Sequence, residues 1–171
     1  MTKTQNAKSA ANVHPAQPWL FRSSSILWVL WGVVHIFAGA FTLFLLSSGK
    51  TAQALQGIVS KVPLESLKLE YPAAVIAILS QHAYNLAWFG VVTLVAAWFV
   101  WKRNAFAIFV ASLVGGLADF GYFLTIDLGG YAAFPGPQMT YICAAAIITG
   151  AIGLHLQRRS AFQTQESQDL Q

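Results

Sequence analysis

Five polar side chains stand inside stretches that are otherwise apolar, and their types make them the candidates for chemistry: His35, His82, Asn85, Asp119 and Tyr122. Asp119 ends the run Val114-Gly115-Gly116-Leu117-Ala118, where a membrane would leave a carboxylate without water. Such a group costs about 2.5–3.5 kcal/mol to insert at the centre of a spanning helix, so intramembrane acids are paired, protonated or functional. Three chemistries suit an acid, two imidazoles, an amide and a phenol. They are proton exchange or ligand binding, a hydrogen-bonded clamp fixing helix register, and anchoring of a lipid headgroup.

Axial rise places these groups in depth. Counting from the basic ends of their helices, Asp119 lies about 22 Å and Asn85 about 24 Å along, with His82 one turn above. Asp119, Asn85, His82, Tyr122 and Gln81 are thus expected to form a cluster opening toward the outer side, with Asp119 and Asn85 within hydrogen-bonding reach or one water apart. His35, at about 15 Å, lies lower. His35 and His82 differ by about 13 Å in level, which excludes them as paired axial ligands of a haem. The carboxylates and histidines are not at metal-ligand spacing, so neither a metal nor a cofactor is expected. His155, beside Arg158 and Arg159, reads as a boundary residue, and Asp127, before Leu128-Gly129-Gly130, as a cap or turn. Cys143 reads as a small buried residue, and one cysteine excludes a disulfide framework. No nucleophile elbow, Cys-x-x-Cys, His-Glu-x-x-His or phosphate loop is present, so no enzymatic motif is identified.

The elements that must position these residues follow from composition. Of 171 residues, 56% are hydrophobic and 9% charged, far below the quarter usual in soluble domains. An all-α polytopic membrane protein is expected, a four-helix bundle with spans near 25–46, 80–101, 104–126 and 138–156. Residues 1–22 are expected to be a polar tail, 23–157 a single membrane domain, and 158–171 a Gln/Ser-rich disordered tail. Ala38-Gly39-Ala40 resembles a signal-peptidase site, but the apolar run continues to Leu46, which favours an uncleaved anchor. In the long first connection, Leu55, Ile58, Val59 and Val62 recur at helical spacing, predicting an interfacial amphipathic helix over 51–62. Pro63 is expected to open a second short helix.

Seven of the ten lysines and arginines (Lys3, Lys8, Arg22, Lys102, Arg103, Arg158 and Arg159) fall on one side of these spans. Lys50, Lys61 and Lys68 fall on the other, so both termini are expected to be cytoplasmic in a bacterial inner membrane. The net charge of +4 is orientation charge, without the aromatic-interleaved stripe of a nucleic-acid binder.

Each span carries a stripe of small or polar residues expected to face its neighbours: Gly32, His35, Gly39 and Thr42; His82, Asn85 and Phe89; Ser112, Gly115, Gly116, Asp119 and Tyr122; and Cys143, Ala146, Gly150 and Gly153. The segment Val114–Asp119, running on to Asp127-Leu128-Gly129-Gly130-Tyr131, resembles small bacterial inner-membrane proteins. The four-span layout with its long first connection is similar to the DoxX-like group over 25–156. That resemblance implies quinone-linked or thiol redox partners, but no motif here carries such chemistry across residue by residue. The expected function is a binding or accessory membrane protein, whose pocket of His35, His82, Asn85, Asp119 and Tyr122 holds a small or lipid-like ligand. Its alternatives are a small proton-coupled transporter or channel using Asp119 with His35 as relay, and a quinone-linked redox subunit. A homo-oligomer or a partner membrane subunit is compatible with either.

Overall fold

A computed structural model of the chain describes residues 18–169. It contains five α-helices and, among the described residues, no strand: α1 (Pro18–Ser47), α2 (Thr51–Ile58), α3 (Ala73–Trp101), α4 (Ala105–Tyr122) and α5 (Gly136–Asp169). Pro18 opens α1 at the position where a missing N–H is harmless. Asn104 caps α4, its side chain accepting from the Ala107 N–H at 3.0 Å. A short 3₁₀ turn, Leu64–Leu67, follows Pro63, and a π turn, Phe123–Asp127, prolongs α4.

Four of the helices are long and apolar enough to cross a membrane, over Pro18–Ser47, Ala73–Trp101, Ala105–Asp127 and Gly136–Gln163. They form an up-and-down bundle in which α1 and α4 each pack against α3 and α5 and so stand diagonally opposite. Around the buried Phe21, Trp28 and Trp31 the interior is rich in small residues: Ala83, Ala96, Ala97, Ala107, Ala111 and Ala146 are buried, whereas Phe37, Phe41, Phe44, Phe106, Phe109 and Phe120 are exposed. That inversion of the soluble pattern fits a multi-pass membrane protein, because lipid solvates large apolar side chains and close helix approach supplies the packing. The closest approach is between α1 and α3. Ser25, Gly32 and Gly39 meet Ala97, Gly90 and Ala83 respectively, small residues seven apart on both helices. At the basic end Ser25 Oγ donates to the Ala97 carbonyl at 2.7 Å, and on the other flank of α1 Ser24 Oγ donates to Ala146 of α5 at 2.8 Å.

The ends of the helices differ from the sequence expectation in three places. Helix α1 begins at Pro18 rather than at 25, because Arg22 stays in the helix with its guanidinium over the Trp101 ring, 5.4 Å from the centroid. Helix α3 begins at Ala73, directly after Pro72, rather than at 80. Residues 158–169, expected to be disordered, continue α5, since the segment holds no glycine or proline and is rich in helix-forming Gln, Ala, Arg and Glu. The expected tail over 1–17 lies outside the described residues, as do 170–171.

Helix α2 occupies the predicted first connection but ends at Ile58, with 59–62 a turn. Its Ala54 is buried against Leu45, Leu46, Ile76 and Leu79, where α1 ends and α3 starts. The chain beyond it is pinned to the α4–α5 connection: Ser60 Oγ accepts from the Ala133 N–H at 2.7 Å, and the Lys61 N–H donates to the Tyr131 carbonyl at 2.9 Å. Cysteine labelling checks this packing against a low background, because the native Cys143 is buried. Gln53→Cys is expected to react fast with a membrane-impermeant maleimide, and Ala54→Cys slowly. Equal rates at the two positions would mean that α2 does not dock through Ala54.

Candidate functional site

At the centre of the bundle α1 reaches across the diagonal to α4. Trp28, Trp31 and His35 share one face of α1, three and four residues apart, and all three are buried. Gly115 makes room for Trp28: a Cβ there would collide with the Trp28 six-membered ring. One turn on, Trp31 Nε1 donates to Asp119 Oδ2 at 2.7 Å, and the Asp119 residue is only 5% exposed. The Trp31 and His35 rings stack with centroids 3.5 Å apart, and Trp28 meets Trp31 edge-on at 6.0 Å. From α5, Cys143 is buried in the same core as Trp28 and Trp31.

His35 completes the cluster. Its Nδ1–H donates to the Trp31 carbonyl at 2.8 Å, which leaves Nε2 with a free lone pair in the neutral ring. Nε2 points at Asp119 Oδ1 from 3.7 Å. That separation exceeds a hydrogen bond by about 1 Å, so the two atoms are aimed at one another without being joined. The pair is electroneutral as imidazole with carboxylic acid and equally as imidazolium with carboxylate. The two forms differ only in the position of one proton.

Among the described residues no three histidine, cysteine or acidic side chains are placed to hold a metal ion.

The sequence expected Asp119 to pair with Asn85, and the structure pairs it with Trp31 instead. Asn85 Oδ1 accepts from Trp88 Nε1 on its own helix at 3.0 Å, on the exposed side of α3. Its depth lies close to that of the cluster, since Ala83 and Ala87 on either side back onto Gly39, one turn of α1 beyond His35. Its direction is wrong: two residues from Ala83 is about 200° around the helix. Asn85 itself is half-buried, and His82 is exposed. Tyr122 is half-buried one turn beyond Asp119, its hydroxyl 3.5 Å from the Ile58 carbonyl beneath α2. Of the five expected residues the fold therefore brings together His35 and Asp119, places Tyr122 one turn further along α4 against the end of α2, and leaves His82 and Asn85 outside.

The level of His35 also changes. Because α1 starts seven residues earlier than expected, His35 is about 26 Å from its start, and Asp119 is about 21 Å from the start of α4. Trp31 was the residue missed as a partner. Trp31 stands four before His35, the spacing that puts two side chains on one helical face, and that was the available signal.

Further along, Asp127 Oδ2 accepts from Thr140 at 3.0 Å, while its buried Oδ1 has no partner among the described residues. The π turn begins one residue after Tyr122, a distortion that recurs at functional positions in helices.

No family model, curated protein or solved structure matches this chain.

Proposed function

We propose that this protein is a small proton-coupled membrane transporter or channel, in which Asp119 and His35 hold and pass the proton. The observation that carries this reading is the facing of His35 Nε2 and Asp119 Oδ1 across 3.7 Å in a buried site, with the other atoms of both groups already bonded. Trp31 fixes one carboxylate oxygen and presents the other, and its carbonyl fixes the histidine tautomer. Those two constraints are what a proton relay needs and a helix clamp does not. Tyr122, Asp127 and Thr140 supply further hydroxyl and carboxyl groups between this pair and the α2 end. The expected ligand pocket of five residues is not favoured, because His82 and Asn85 face away from Asp119.

In this reading the protein sits in a bacterial cytoplasmic membrane with both termini inside. Helix α2 then lies along the outer interface. Labelling of Gln53→Cys from outside intact cells supports that orientation, and labelling only after permeabilisation opposes it.

Proteoliposomes with an entrapped pH dye test the function. Under a potassium diffusion potential the wild type is expected to pass protons faster than empty vesicles, and Asp119→Asn and His35→Gln to return the rate to that background. A wild-type rate equal to empty vesicles, or variants equal to the wild type, would refute the proposal.

A further inference from the structure

A second site lies on the outside of the bundle, at the basic end. Between α1 and α3 the lipid-facing ridge Ile26, Val29 and Leu30 and the opposing ridge Leu94, Trp98 and Trp101 flank a cleft of about 360 Å³. Its floor is sealed where Ser25 bonds to the Ala97 carbonyl. The lining is almost wholly apolar, and both indoles are well exposed, Trp98 at 63%.

Each of the two tryptophans that line this cleft carries a cation. Arg22 lies over the Trp101 ring at 5.4 Å, and Lys102 Nζ lies over the Trp98 ring at 5.1 Å. Both cations are therefore held by the two tryptophans that line the groove. Among the described residues neither makes an ion pair with a carboxylate, as Lys68 does with Glu65. An apolar slot beside two cations that, among the described residues, pair with no carboxylate suits an amphiphilic anion.

We propose that this groove is a binding site for an anionic phospholipid, with its phosphate between Arg22 and Lys102 and one acyl chain lying along Leu94, Leu30 and Ile26. The cations supply the selectivity for charge, since juxtamembrane lysines and arginines attract anionic lipid. The groove supplies the residence of the chain. Trp98 and Trp101 sit at the level of the glycerol backbone, where indoles are favoured in bilayers. The site is independent of the Asp119 cluster and stands whether or not that cluster moves protons.

Native mass spectrometry of the detergent-purified full chain tests it, with phosphatidylglycerol and phosphatidylcholine of identical acyl chains added in equal amounts. Wild type is expected to retain phosphatidylglycerol preferentially, and Arg22→Gln/Lys102→Gln to lose that preference by at least about tenfold. Leu30→Trp, which keeps both charges but fills the slot, is expected to weaken retention of phosphatidylglycerol as well. Glycerol 3-phosphate in excess should not compete. Thermal unfolding monitors that each variant still folds. Equal retention of the two lipids by wild type, an unchanged preference in the double variant, or full competition by glycerol 3-phosphate would each overturn the proposal.

Discussion

Gly39→Leu is expected to cost about 3 kcal/mol, at the upper end of the usual range for forcing extra atoms into a packed interior. A Cβ at Gly39 would collide with the Ala83 carbonyl and stand 2.7 Å from the Ala87 nitrogen. Both obstacles are backbone, so no rotamer change relieves them, and α1 and α3 would have to separate. Their separation would also break the register that sets Gly32 against Gly90 and Ser25 against Ala97. Gly121→Ala is the control. Nothing lies within contact of a Cβ there, so the substitution is expected to be neutral or to stabilise α4 by up to about 1 kcal/mol. Unfolding of the two variants in mild detergent, followed by circular dichroism, checks the contrast. Comparable stabilities would mean that α1 and α3 do not meet through Gly39.

The second large effect concerns Asp119, where stability and chemistry are expected to part. Asp119→Asn keeps an oxygen for the Trp31 N–H, so its stability should stay within about 1 kcal/mol of wild type. Asp119→Leu removes every acceptor. It leaves the Trp31 indole N–H buried without a partner beside Trp28 Nε1, which already has none. An unmade hydrogen bond of this kind costs about 1–3 kcal/mol, and about 2 kcal/mol is expected here. Reversible unfolding of both variants gives the numbers. If Asp119→Asn destabilises as much as Asp119→Leu, the negative charge itself is structural and the exchange of a proton at this site loses its basis.

Much of this arrangement was legible in the sequence, and the exceptions share a physical cause. The third span, expected over 104–126, is found as Ala105–Tyr122 with its π turn to Asp127, because Lys102, Arg103 and the Asn104 cap mark its start. The stripes on α1 and α5 were also correctly oriented: Gly32, His35, Gly39 and Thr42 are buried, and so are Cys143, Ala146, Gly150 and Gly153. The stripe on α3 was not. Of His82, Asn85 and Phe89 only Phe89 packs against the core; His82 is exposed and Asn85 half-buried, and the inner face is made by Ala83, Gly90, Thr93 and Ala97. In lipid the driving term is close approach rather than polarity, so a seven-residue spacing of small side chains outranks a pair of polar ones. Asn85 escapes the cost of facing outward by bonding to Trp88 on its own helix.

The partner of Asp119 was missed for a related reason. Depth follows from rise per residue, but direction depends on which face each helix turns inward, and α1 had been started seven residues late. A charged residue such as Arg22 looks like a boundary in a sequence. In the structure its guanidinium rests on Trp101, and the helix extends beyond it to Pro18. With α1 begun at Pro18, Trp31 and His35 come to the level of Asp119, and the tryptophan becomes the obvious donor.

The pairing of His35 with Asp119 as one proton-exchanging unit is tested most directly by infrared spectroscopy of the reconstituted protein during a pH titration. A C=O stretch of a protonated carboxyl group is expected to appear and vanish reversibly with pH. It should be absent in Asp119→Asn and should titrate over a different pH range in His35→Gln, because removing the imidazole removes the proton's alternative position. A carboxyl signal of Asp119 that never changes with pH, or one that titrates identically without His35, would contradict the account.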